Sequence, residues 1–336
     1  MRLERVSCCV STLAMRIPVL ILLALLFTTP CGAHRASPPY HSLTREFAQF
    51  QDTTVVLPEA RRVAQFRERF DVLFPGFYEP APGQTLEQFD RSVARALADF
   101  ASIRSRYEQV ERVFPERYAQ GIAHFRKHFP GFKPVLPVWL VHSLGRMDGG
   151  TRTLRGRNVM IFGADVIARI HDDQDIGPFL DHELFHVENG RWFSDCMPDT
   201  TIWCSLWQEG TATYAAAVMN PGADDHLLML DRPAPIRAAI DADWRAALCR
   251  IREDLDRTDQ PSYARYFMSA GPVQKYPARW GYYVGYRLAQ RVGQRMTLAR
   301  MSRLGHAAVE AIVTREIDAM TREAGGCGGW SAPANQ

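Results

Sequence analysis

His182-Glu183-Leu184-Phe185-His186 decides the reading of this chain, because two imidazoles four residues apart with a carboxylate between them are the groups a catalytic zinc site needs. On a helix, residues four apart share a face, with roughly 5–6 Å between their Cβ atoms. His182 and His186 are then able to converge on one ion, and Glu183 projects beside them as a base toward water. The flanks support a helix. Gly177-Pro178 follows Asp172, Asp173 and Asp175, and proline in a first turn with acids nearby is a start signal. Phe179, Leu180, Leu184 and Val187 supply an apolar stripe, and Asn189-Gly190 supplies a stop.

A catalytic zinc takes three protein ligands and keeps its fourth position open. The metzincin continuation needs Gly and His seven and ten positions after the first histidine, where Asn189 and Trp192 stand, so that pattern is excluded. What the chain offers instead is Trp207-Gln208-Glu209-Gly210-Thr211-Ala212-Thr213-Tyr214-Ala215-Ala216-Ala217, with Glu209 as the candidate third ligand. Ala212, Ala215 and Ala216 give this segment a face of small side chains. A second helix with such a face is able to pack close to the first and aim a carboxylate from its opening turn at the metal.

Over roughly residues 135–292 the chain resembles the gluzincin metallopeptidases, in which H-E-x-x-H is followed on a later helix by a glutamate, often in the context Glu-Gly-x-Ala, here Glu209-Gly210-Thr211-Ala212. It is also similar to bacterial families of predicted secreted zinc-dependent proteases that share this plan. The resemblance is specific in those two short motifs. It implies one zinc ion on His182, His186 and Glu209, with Glu183 as general base. Thermolysin-like members carry an aspartate four residues after the ligand glutamate to orient a ligand histidine; Thr213 stands there, which leaves Asp181 or a backbone carbonyl for that role. The resemblance also implies an oxyanion donor in Pro277-Ala278-Arg279-Trp280-Gly281-Tyr282-Tyr283-Val284-Gly285-Tyr286-Arg287, with Tyr283 the first choice, Tyr282 the second, and Arg279 a partner for the oxyanion or a substrate carboxylate. Gly281 and Gly285, four apart, equally mark close helix packing. Gluzincins hold substrate in extended form along a sheet edge, a role open to Asn158-Val159-Met160-Ile161-Phe162; the other reading of that stretch is an ordinary buried strand.

The N-terminus reads as a signal peptide over residues 1–33: Arg2, Arg5 and Arg16, then an apolar run from Ile17 to Phe27, then Cys31-Gly32-Ala33 with small residues where a signal peptidase reads. Eleven apolar residues are too few to span a bilayer, and Pro30 and Thr28 fit a lipidation signal at Cys31 poorly. The expected mature chain is exported, periplasmic or extracellular, with no membrane span. It carries 37 basic and 36 acidic residues, a near balance that implies no nucleic-acid partner. Its cysteines are Cys196, Cys204, Cys249 and Cys327, an even set that predicts disulfides; of three connectivities, the one joining Cys196 to Cys204 would stiffen the loop between the two ligand helices.

The chain predicts an α+β fold, mostly helical: irregular chain over 34–58, helices over 59–74, 86–114 and 116–129, then strands over 135–144 and 158–163 separated by turns at Gly149-Gly150 and Gly156. A helical N-terminal region, 34–130, precedes a zincin-like catalytic domain, 131–330, with a small sheet beside the zinc helix. The expected function is hydrolysis of a peptide or protein substrate by zinc-activated water. Two other readings share these residues: a non-catalytic envelope or assembly protein clamped by zinc, and a zinc hydrolase of non-peptide amides or esters.

Overall fold

The computed structural model describes residues 39–81, 83–171, 175–193, 200–269 and 275–329, all within one compact unit, 37–336. In chain order they form β1 (Tyr40–Ser42), α1 (Thr44–Thr54), α2 (Glu59–Leu73), α3 (Leu86–His128), β2 (Val138–Val141), β3 (Gly149–Leu154), β4 (Arg157–Gly163), α4 (Ala164–Ile170), α5 (Gly177–Asn189) and α6 (Ile202–Met219). The remainder is α7 (Ile236–Asp241), α8 (Trp244–Asp254), α9 (Gln260–Phe267), α10 (Trp280–Gly293), α11 (Leu298–Met301) and α12 (His306–Glu323). The fold is α+β and mostly helical. Its sheet has the order β1-β2-β4-β3, parallel throughout except for antiparallel β3 at one edge. The expected signal peptide and Cys196 lie outside the described residues.

Three local expectations are corrected. Residues 86–128 are one helix, opened by a Thr85–Gln88 capping box and running through Pro115. Proline inside a helix costs about 3 kcal/mol, but Tyr107, Val110, Phe114, Tyr118, Ile122 and Phe125 continue the buried stripe across it. Burying six such side chains contributes on the order of 10 kcal/mol, so the helix carries on. Part of 34–58 is ordered as β1 and α1, whose Phe47 and Phe50 sink into the core against Phe66 and Phe70. Gly149-Gly150 is not a turn: it begins β3, which pairs with β4 from Gly149↔Phe162 to Leu154↔Arg157.

The described residues of 39–130 share their core with the chain that follows. β1 pairs with β2, and one apolar cluster joins Phe47, Phe100 and Phe125 to Ile161, Leu184 and Ala212. A second cluster holds Trp203, Leu206, Trp207, Leu248, Trp280, Val284 and Val313. Helix α6 contributes to both. Its crossing with α10 is a glycine contact, since a Cβ at Gly210 would stand 2.5 Å from Gly285 Cα and one at Gly285 2.9 Å from Gly210 Cα. The four-residue glycine spacing in α10 is therefore a packing device, with Gly281 seated against Tyr266 and Phe267. Cys249 and Cys327 form a disulfide that ties α8 to the chain beyond α12. Cys204 is also disulfide-bonded; its expected partner, Cys196, is outside the described residues.

Candidate metal centre

Helix α5 begins with Pro178 in its first turn and buries Phe179, Leu180 and Leu184, which turns His182 and His186 to the opposite, open side. Glu209 comes from α6, in the third turn rather than the opening one, because Thr201 caps that helix and Ile202 starts it. The two helices pack side by side and bring the three groups together. His182 Nε2 and His186 Nε2 are 3.1 Å apart, and Glu209 Oε2 is 3.3 Å from the first and 3.5 Å from the second. Two corners of a tetrahedron around an ion with bonds of about 2.0–2.1 Å are about 3.3–3.4 Å apart. The three atoms therefore stand as three corners of such a tetrahedron, and the group could hold a metal ion.

The three side chains are 16, 23 and 19 % exposed and face a cavity of about 610 Å³. That cavity is also lined by Asp148 to Arg152, Glu183, Arg191, Tyr263, Arg279 and Tyr282. A Cβ at Gly149 would stand 2.9 Å from Glu183 Cδ and 2.8 Å from Phe179 Cζ, so only glycine allows the edge strand β3 to come this close to Glu183. Burial pushes Glu183 up to about 8, with the His186 charge opposing and the Asp148 and Glu209 charges adding to the rise. Burial lowers His182, keeping its imidazole neutral as a ligand requires. Burial alone would raise Glu209, yet His186 and His182 hold it well below the ordinary carboxylate range.

Of the residues expected from the sequence, His182, Glu183, His186, Glu209 and Arg279 meet at this cavity. Tyr283 does not. Its hydroxyl donates to Asp241 Oδ1 at 2.8 Å and accepts from Arg287 Nη1 at 2.8 Å, away from the metal group. Tyr282, the second choice, lines the cavity: its ring lies 6.3 Å from that of His182, nearly parallel, and the Arg279 guanidinium sits 4.4 Å over its face. Arg279 is the residue before α10 and is held at φ +67°, a left-handed conformation uncommon for a side chain of this size.

Asp181 does not orient a ligand histidine. It points to the other side of α5, where Oδ2 accepts from Asn220 at 2.8 Å and meets His124 Nδ1 at 3.0 Å. Thr213 instead bonds the carbonyl of Glu209 at 2.8 Å, within its own helix. The stretch Asn158 to Phe162 lies in an inner strand, between β2 and β3; among the described residues the edges are β1 and β3, and β3 is the one at the cavity. Sequence reasoning missed Asp148, whose carboxylate meets His171 Nε2 at 3.0 Å, and Arg152. The only signal was a polar run, Asp148-Gly149-Gly150-Thr151-Arg152-Thr153, next to a strand. No protein-family model, no curated protein and no solved structure matches the chain. Among the described residues, no helix is long and apolar enough to cross a membrane.

Proposed function

We propose that the protein is an exported zinc-dependent metallopeptidase that cleaves peptide bonds with Glu183 as general base. The observation that carries this reading is the triangle of two imidazole nitrogens and one carboxylate oxygen with Glu183 buried beside it, at the start of a free sheet edge. That donor set suits zinc, and three protein ligands leave a position for chemistry. When bound, the ion supplies Lewis acidity, acidifying water and polarising a carbonyl oxygen. Glu183, kept ionised by the positive charge of the ion, would take a proton from the water whose oxygen bonds to the carbonyl carbon and give it to the amine as the C–N bond breaks. The outer edge of β3 offers backbone N–H and C=O groups to a substrate in extended form. Tyr282 and Arg279 donate hydrogen bonds to the carbonyl oxygen as it gains negative charge. Export is supported by the Cys249–Cys327 disulfide, a bond at home in an oxidising compartment.

The test is metal analysis of the purified protein followed by digestion of an unbiased peptide library, with Glu183→Gln as the control. The variant should retain zinc and lose cleavage by about a hundredfold or more. Cleavage undiminished in Glu183→Gln would overturn the proposal. Zinc retained with no peptide cleaved by the wild type would favour a zinc-clamped structural protein.

A further inference from the structure

Arg152 is an exposed residue of the edge strand, and its side chain is turned back along the strand. It folds back: Nη1 donates to Thr151 O at 2.8 Å and lies over Gly150, where a Cβ would stand 3.1 Å from it and 3.2 Å from Met147 Cε. Gly150 has φ +144°, a conformation side chains rarely adopt, so glycine both permits the backbone and clears the space the guanidinium fills. Gly149, one residue earlier, is packed against Glu183. With a strand rise of about 3.3 Å per residue, the guanidinium sits about one residue along the edge from the base. Its charge acts on both Glu183 and Tyr263.

Apart from Glu183, the other charged groups of the cavity have neighbours of their own. Arg191 is bonded to Glu188 at 3.0 Å, Asp148 to His171 at 3.0 Å, Arg279 lies over Tyr282, and Glu209 faces the two histidines. Arg152, by contrast, has no carboxylate within 4.0 Å among the described residues. A guanidinium presents paired donors that match the two oxygens of a carboxylate. We propose that Arg152 is a specificity residue that binds a substrate carboxylate about one residue from the scissile bond, either an Asp or Glu side chain or the C-terminal carboxylate of the chain. This rests on the peptidase reading above for the identity of the substrate, and on β3 as the edge it pairs with.

The experiment compares matched peptides: Glu against Gln at each position flanking the cleaved bond, and free C-terminal carboxylate against C-terminal amide. Cleavage by the zinc-loaded wild type and Arg152→Gln is followed by mass spectrometry, and binding to zinc-loaded Glu183→Gln by calorimetry. The wild type should favour one carboxylate-bearing set by about tenfold or more, and the set that responds identifies side chain or terminus. Arg152→Gln should bring that ratio close to one, read as the ratio within each matched pair so that any change in the rate common to both peptides cancels, and Arg152→Glu should favour Lys-bearing peptides instead. Equal cleavage of carboxylate and neutral peptides by the wild type, or a ratio unchanged in Arg152→Gln, overturns the inference and leaves the peptidase reading intact. Carboxylate-selective binding that depends on Arg152, without cleavage of any peptide, does the reverse.

Discussion

Gly210→Ala tests whether the close crossing of α6 and α10 holds Glu209, the proposed third ligand, in place. The new Cβ would stand 2.5 Å from Gly285 Cα, where ordinary contact begins at 3.4 Å, so the helices must part by about 1 Å. Both sides of the clash are backbone, which puts the cost near the top of the overpacking range, about 3 kcal/mol. Alanine returns about 1 kcal/mol of helix propensity over glycine. The net loss is about 2 kcal/mol, or about 4 °C in Tm for a chain of this length. Glu209 is the adjacent residue, and a shift of about 1 Å is large against a ligand bond of about 2 Å. Zinc affinity should fall about 10- to 100-fold, as it does when the support of a ligand is removed. Thermal melting with and without zinc reads the first quantity, and competition against a chromophoric chelator reads the second. Gly131→Ala, which meets nothing within 4 Å, is the control. A Gly210→Ala protein with wild-type Tm and wild-type zinc affinity would refute the reasoning.

Three further outcomes follow from the same structure. Chelation of zinc should lower Tm, because binding at about 1,000 times Kd stabilises by about 4 kcal/mol, and His182→Ala should abolish the difference between chelated and zinc-loaded samples. Asp254, 3 % exposed, accepts from Arg265 at 2.6 Å and Tyr266 at 2.5 Å and faces Arg250 at 3.4 Å. Asp254→Asn removes a buried charge that Arg265, Arg250 and Arg257 share and should cost about 3 kcal/mol in chemical denaturation; a loss within about 0.5 kcal/mol would show the cluster to be solvated. Asp148 would be raised by burial alone, but His171 and then Arg279 hold it well below the usual carboxylate range. Because the folded value is depressed, its stabilisation is complete above the unfolded value of about 4 and is lost as pH falls toward the folded one. Asp148→Asn should be less stable than wild type at pH 7, with the gap closing in acid. A gap that grows below about pH 4 would contradict the assigned cause.

The elements that could be read from the sequence are those whose burial is written in side-chain spacing. Helix α5 showed itself by an apolar stripe opposite two histidines four apart, and Glu209 by the glycine and alanines that let its helix come close. β3, Gly-Gly-Thr-Arg-Thr-Leu, has only Leu154 as an apolar side chain, packed at the border of the core, so its residues carry no alternation to detect. Tyr282 and Tyr283 are neighbours about 100° apart on α10, in a segment apolar on several sides. Only the partners of that helix, Asp241 on one flank and His182 on the other, decide which hydroxyl faces the cavity. Pro115 misled for a related reason: the local rule for proline was outweighed by a buried stripe that extends well beyond it.

The position of the metal group follows from the double duty of α6. Ala212, Ala215 and Met219 belong to the core built on the sheet, α3 and α5, whereas Trp203, Leu206 and Trp207 belong to the core built with α8, α10 and α12. The two histidines come from a helix of the first core and the glutamate from the helix both cores share, so an ion held between them ties the two together. The same Gly210–Gly285 crossing that places Glu209 also places the start of α10, and with it Arg279 and Tyr282. Disturbing that crossing should therefore lower zinc affinity and the stabilisation of the developing oxyanion together. The edge strand reaches the cavity by an independent route, through Gly149 against Glu183, so changes at Arg152 should alter which peptides are chosen without loosening the metal.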